Sequence, residues 1–232
     1  MEQNKYNALK SYNDLLEELS LDEQINLLPK ILVDISIEGE SVLFPAMERG
    51  YFNCINDFGL LLDRLMSIRE HIPNIDMANI IFRLLSCKNN IGTSGLFIAL
   101  EGGYCRTVTA FGNLVGKFAL LKHSVPEDLF DSMMLDILVA MTDGNVPGIF
   151  VLIIINNNDA IDCYCSLLAY ASKSVRRKIF SIKDCNGLPI INAIAIAAHH
   201  DKSKSLKSCS HFLKALSYDE QIDLLPDIHI NF

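Results

Sequence analysis

The sequence has no hydrophobic run long enough to cross a bilayer. Its longest apolar stretches, such as IFVLIII from Ile149 to Ile155, fall far short of the roughly 20 residues a spanning helix needs. They read as fully buried segments. A charged-then-apolar leader is also missing, since the opening MEQNKYNALK is polar. Positive charge is in deficit: 20 Lys and Arg face 28 Asp and Glu, a net charge of −8. That balance argues against nucleic acid as the main partner. There is no CxxC and no CxxC…HxxxH spacing among the seven cysteines. Cys163 and Cys165 are two apart, which puts their thiols on different faces of a helix. The reading is therefore buried free thiols in a reducing compartment. A GxxxxGK[ST] phosphate loop, a GxSxG elbow and an HExxH helix are absent as well.

What the chain does contain is repetition. LSLDEQINLLPKI runs from Leu19 to Ile31, and LSYDEQIDLLPDI from Leu216 to Ile228, identical at ten of thirteen positions and 197 residues apart. Between them, Phe44, Phe97 and Phe150 recur at intervals of 53, as do Ile55, Val108 and Ile161. An aromatic follows three residues later each time, at Phe58, Phe111 and Tyr164. Extended to Leu9 and Leu206, the series has spacings of 46, 53, 53 and 45. The two copies of the opening phrase thus sit at one address in the first and last units, as repeat architecture requires.

Each unit reads as three helices. A short apolar one comes first (Leu43 to Arg49, Leu96 to Glu101, Ile149 to Ile155, Ile190 to Ala198), ending at Gly50, Gly102–Gly103, Asn156–Asn158 or His199–His200. Gly and Asn suit the left-handed conformation that closes a helix. A second follows with its stripe at helical spacing, as in Ile55, Phe58, Leu61, Leu62 and Leu65. A third covers Met77 to Leu85 and Leu129 to Ala140, and a polar turn closes the unit. Strand signals are weak. The expected organisation is one repeat array over 1–232, with a partial unit 1–38 and units 39–91, 92–144, 145–186 and 187–232. The partial opening unit and the early stop after Pro226 suggest a slice of a longer array or a shortened gene product.

GTSGLFIALEGGYCRTVTAFGNLV, from Gly92 to Val115, resembles an ankyrin repeat. Gly95-Leu96-Phe97 stands for its turn and P-L-H, and Ala99 to Tyr104 for its A-A…N-G-H segment. Phe97 replaces the usual His, and the period is 45 to 53 rather than 33, the surplus fitting a third helix. Ala110-Phe111-Gly112-Asn113-Leu114 and Gly144…Pro147-Gly148-Ile149-Phe150 are similar to the ankyrin-like region of type III secretion effectors from Shigella and related enteric pathogens. The resemblance implies an all-α, ankyrin-like α-solenoid that docks a host protein. It also implies passage from the bacterial cytoplasm to the host cytoplasm. Family catalysis sits in a separate domain, so no catalytic residue, cofactor or metal is carried over.

The functional expectation is a noncatalytic, monomeric protein-binding module, with no nucleic-acid or membrane partner. A shortened effector remnant that binds a secretion chaperone is the alternative, and a cysteine-dependent enzyme is the least favoured. Buried stripes are committed to packing, so recognition falls to turn tips and exposed first-helix positions. Those are Glu48, Arg49 and Tyr51 in one unit and Glu101, Tyr104 and Arg106 in the next. Then come Asn156, Asn157 and Asp159, and finally His199, His200 and Lys202. Tyr and Arg are frequent binding anchors. A competing patch is the basic run from Lys173 to Lys207, which contains Arg176, Arg177 and Lys178. His199 and His200 occupy the turn slot, which is preferred over a role as metal ligands or catalytic base.

Overall fold

The computed structural model describes residues 11, 13–33, 40–142, 146–154, 157–183, 187, 210, 214, 216–219 and 221. Among these the chain is mostly helical, with no strand and with isolated antiparallel bridges that include Lys88–Ser94 and Met141–Pro147. Residues 13–17 are helical, and α1 (Leu21–Leu32) follows. Three helix triplets come next. They are α2 (Phe44–Glu48), α3 (Phe52–Ser67) and α4 (Asn74–Leu85); α5 (Gly95–Glu101), α6 (Cys105–Ala119) and α7 (Glu127–Leu138); and α8 (Gly148–Ile154), α9 (Asn158–Leu168) and α10 (Lys173–Ser181). The described helices are all too short or too polar to cross a membrane.

The stripes read from the sequence are the buried faces. Ile55, Phe58, Leu61, Leu62 and Leu65 of α3 are buried, as are Val108, Phe111, Leu114, Val115 and Phe118 of α6. Positions three and four apart lie on one side of a helix, so each stripe is a single apolar face. Helices in the same place of successive triplets pack on one another. α2 meets α5 and α5 meets α8; α3 meets α6 and α6 meets α9; α1 meets α4, α4 meets α7, and α7 meets α10. Covered from both neighbours, α5 buries Leu96, Phe97, Ala99 and Leu100 together, which accounts for its near-continuous apolar sequence.

The second helices approach closely through glycine. A Cβ built on Gly59 would stand 3.4 Å from Leu114 Cδ2, and one on Gly112 would stand 2.8 Å from Leu167 Cδ2. Gly59 and Gly112 are 53 residues apart, as are Leu114 and Leu167, so the same leucine-on-glycine contact is made twice. An ion pair recurs beside it. Arg64 Nη2 lies 2.5 Å from Glu17 Oε1, and Lys117 Nζ pairs with Asp63, each cation reaching back one unit.

The turns are fixed by backbone hydrogen bonds that repeat with the period. Tyr51 N–H donates to Ala46 O at 2.9 Å, Tyr104 N–H to Ala99 O at 2.9 Å, and Asn157 N–H to Leu152 O at 3.1 Å. Gly50 (φ +70°) and Gly103 (φ +66°) take the left-handed conformation that this chain reversal needs. Between units, Gly95 N–H donates to Cys87 O and Gly148 N–H to Ala140 O, both at 2.9 Å. A Cβ on Gly148 would stand 2.6 Å from Ala140 O, so the hairpin closes only around glycine. Ser94 N–H then donates to Met141 O at 2.9 Å, tying one hairpin to the next without the side-chain bonds that Phe97 cannot make.

Unit length varies in one place. From Ile55 to Pro73, and from Val108 to Pro126, there are 18 positions; from Ile161 to Ser172 there are 11. Pro73, Pro126 and Ser172 are the N-caps of α4, α7 and α10. The second helix absorbs most of the difference, with 16 residues in α3, 15 in α6 and 11 in α9, and a shorter connection to the next helix takes up the rest. The third helix, by contrast, is present in every triplet.

The described start of the repeated phrase makes the same bonds in both copies. Gln24 N–H donates to Ser20 O and Gln221 N–H to Ser217 O, both at 3.0 Å. The Gln24 side chain donates to Leu19 O at 2.9 Å and that of Gln221 to Leu216 O at 3.1 Å. In the first copy, Ser20 and Glu23 cap α1 reciprocally. A part-buried polar contact joins two units: Ser172, the N-cap of α10, accepts from Val175 N–H at 3.1 Å and donates to Asp131 Oδ2 at 2.9 Å. Asp131 is 6% exposed, and its Oδ1 has no hydrogen-bond partner.

Two outcomes follow for stability. Phe111, fully buried at the α6 stripe, should cost about 3–5 kcal/mol when replaced by Ala, from lost transfer energy plus the cavity. Urea unfolding measures this, and a loss below about 1 kcal/mol would place Phe111 outside the core. Ser172→Ala should cost about 2–3 kcal/mol, combining a lost cap with a buried carboxylate left unpaired. Ser20→Ala, which removes only an exposed cap, should cost about 1 kcal/mol. Equal losses for the two serines would show that the Asp131 contact contributes nothing.

Candidate binding surface

The turn between first and second helix brings adjacent units together at their tips. Tyr51, Tyr104 and Asn157 occupy one slot, 53 residues apart, as the N-caps of α3, α6 and α9. Tyr104 crosses to the neighbouring tip. A Cβ on Gly50 would stand 2.8 Å from its ring, and one on Gly102 would stand 2.6 Å from it. Glycine at both positions therefore makes the seat for the tyrosine. The Arg106 guanidinium lies 5.7 Å from the Phe52 ring centroid, a second contact between tips. Asn157 continues the row, with its side-chain nitrogen 3.8 Å from a Cβ on Gly103.

The expected contact residues divide into two groups. Glu48, Arg49, Glu101, Tyr104, Arg106 and Asp159 are exposed. Arg49 Nε and Glu48 Oε2 are 4.0 Å apart with both side chains more than half exposed, so their attraction is weak. Tyr51 and Asn157 are half-buried and hold structure. Tyr51 packs against the core, and Asn157 caps α9 by accepting from Ala160 N–H at 3.1 Å. Asn156, His199, His200 and Lys202 lie outside the described residues. Of the competing basic run, Arg177 and Lys178 are exposed on α10, whereas Arg176 is half-buried and donates to Ala171 O at 2.9 Å.

A concave feature lies away from the tips. α3 and α6 enclose a cleft of about 280 Å³ lined by Asn56, Gly59, Leu60, Asp63, Ala110, Asn113, Leu114 and Lys117. Helical spacing in the sequence marks which positions are buried, not which lie opposite one another across a groove. The repeat offset was the usable signal, because it pairs α3 with α6.

Cys54, Cys87, Cys163 and Cys165 sit in environments that favour the protonated thiol. Burial pushes Cys87 well above the usual range. Burial, then Asp162, pushes Cys165 up to about 12. Cys163 is also pushed up to about 12, by burial first and then by the Cys105 side chain against it. Cys54 is raised by burial and by Asp57. A protonated thiol is a poor nucleophile and metal ligand. Among the described residues no group of three or more His, Cys, Asp or Glu could hold a metal ion.

Geometry separates the structural tyrosine from its exposed neighbour. Tyr104→Ala should lower unfolding stability by about 1–2 kcal/mol through loss of its seat on Gly50, whereas Glu101→Lys should stay within about 0.5 kcal/mol. Denaturant midpoints for the two variants check this, and equal midpoints would mean that the ring does not join the tips. In comparisons with known proteins, the chain matches no family model, no curated protein and no solved structure.

Proposed function

We propose that the chain is a noncatalytic protein-binding module, built as an ankyrin-like α-solenoid, in which each unit contributes one turn tip to a shared recognition surface. The observation that carries this reading is the periodic docking of like on like. The same helices pack on one another, and the same backbone hydrogen bonds recur 53 residues apart. Such a stack is extended by adding units and presents a row of equivalent tips, the usual basis of recognition by repeat proteins. The tips carry the chemistry of a protein contact. A partly exposed tyrosine, Tyr104, stands among Arg49, Glu101, Arg106 and Asp159, an aromatic anchor within mixed charge. The partner is a protein, in keeping with the resemblance to the docking region of secreted effectors. On that resemblance the module works in a host cell after export from a bacterium.

The test uses the full chain as bait for host-cell proteins, with two charge-reversed variants that leave the packed tyrosines alone. Arg49→Glu with Glu101→Lys changes the tips. Arg176→Glu, Arg177→Glu and Lys178→Glu change α10. Thermal unfolding of each variant first establishes that it folds. The tip variant should lose at least ten-fold in affinity for the captured partner, while the α10 variant should mainly slow association at low salt. Loss confined to the α10 variant would assign recognition to the basic face instead.

A further inference from the structure

The contacts between second helices follow a rule that the first unit leaves open. At successive junctions a leucine reaches back onto a small residue of the preceding unit, Leu114 onto Gly59 and Leu167 onto Gly112. Leu61, Leu114 and Leu167 hold this position, and all three are buried. Leu15, 46 residues before Leu61, holds it in the first unit, and it is 63% exposed. Leu27 of α1 is 40% exposed as well, although its counterparts Met133 and Ile179 are buried. The front of the first unit, the side turned away from the second, is thus an open stacking face.

A neighbouring slot carries charge. Here too the later unit reaches back to the earlier one. Arg64 pairs with Glu17 and Lys117 with Asp63. At the next junction the Tyr170 ring lies over Gly116, 3.1 Å from a Cβ built there. The spacings of 46, 53, 53 and 45 put Glu18 in the slot of Arg64, Lys117 and Tyr170. They put Lys214 of the last unit in the slot of Glu17, Asp63 and Gly116. The first unit therefore holds an anion where the next two hold a cation, and the last holds a cation where the first two hold an anion. Glu18 and Lys214 are both exposed. Ser210, again a small residue, takes the place of Gly59 and Gly112 in the last unit. At the start of the third helix, the slot filled by Asn74, Glu127 and Lys173 is apolar in the two outer units, where Leu21 is exposed and Tyr218 is 75% exposed.

We propose that the open front of this chain is the docking site for the last unit of a second copy, so that copies stack head to tail and continue the repeat from one chain to the next. Leu15 of one copy then lies on Ser210 of the copy before it, and Leu21 meets Tyr218. Glu18 pairs with Lys214, in the same slots as the internal ion pairs but with the signs exchanged. That exchange gives the contact its direction. Front against front would bring Glu18 to Glu18, and back against back Lys214 to Lys214, so like charges oppose both. One exposed ion pair contributes little by itself; the apolar positions supply the contact and the charges select its polarity. A head-to-tail contact uses two different surfaces and leaves one of each free, so growth passes two copies and ends only if a ring closes. A self-stacking chain replaces the monomer expected from the sequence, and it depends on the observed helix stacking, not on any captured host protein.

The experiment is sedimentation of the full chain over a concentration series, with the parent and four variants. The mean mass of the parent should rise with concentration and pass that of two copies. Glu18→Lys and Lys214→Glu should each weaken self-association about ten-fold, because like charges then meet at the junction. Placing both changes in one chain should restore it, and so should mixing the two single variants in equal amounts. Leu15→Asp should leave monomers, with thermal unfolding establishing that the variant folds. The mixing arm rests on exposed charges alone, so it decides the matter even if Leu15→Asp does not fold. A parent that stays monomeric at every concentration would give the open face to a different partner and overturn the proposal. Association that stops at two copies, or that the charge variants neither weaken nor restore, would overturn it equally.

Discussion

The constraint on which the rest depends is that a short helix apolar on opposite sides must be covered on both. α5 buries Leu96, Phe97, Ala99 and Leu100, and no single partner can cover all of them. At about 25 cal/mol per Å² of apolar area, leaving either side open would cost several kcal/mol. The answer is α2 on one side and α8 on the other. Once the first helices are stacked in this way, the second and third helices of each unit fall beside their counterparts. The leucine-on-glycine contacts at Gly59 and Gly112 then set how closely the second helices approach.

This stacking leaves the connections to be closed largely by main chain, with Asn89 and Thr142 accepting further bonds from Thr93 N–H and Val146 N–H in the hairpins. The bonds that return the chain from first to second helix, and those that close each hairpin, use N–H and carbonyl groups at fixed offsets. Side chains in the turns are accordingly free to differ. Tyr51, Tyr104 and Asn157 hold one slot with two chemistries, and only Asn157 caps its helix through its side chain.

Unit length follows the same logic. The second helix is about a turn shorter in the third triplet than in the first two, yet Ser172 still caps α10 where Pro73 and Pro126 begin α4 and α7. The register of the buried positions Ile55, Val108 and Ile161, set at the start of the helix, is untouched. Ser172 also takes on a task that the prolines cannot perform, since its hydroxyl reaches the buried Asp131 carboxylate.

The sequence by itself determined the period, the apolar stripes and the helical class, because burial on a helix leaves a pattern at three and four residues that no partner needs to supply. Phe44, Phe97, Phe150, Phe58, Phe111 and Tyr164 were legible as core for that reason, and all are buried. The left-handed closure at Gly50 and Gly103 was legible because few residues other than glycine adopt it. The candidate surface was legible only as a set of exposed tips. That Tyr104 rests on Gly50 and that Arg106 reaches Phe52 were decided by tertiary structure alone. Each joins residues about 50 or more positions apart through the offset between neighbouring units. A period states which positions are equivalent, but the distance between equivalent positions depends on how closely the helices pack.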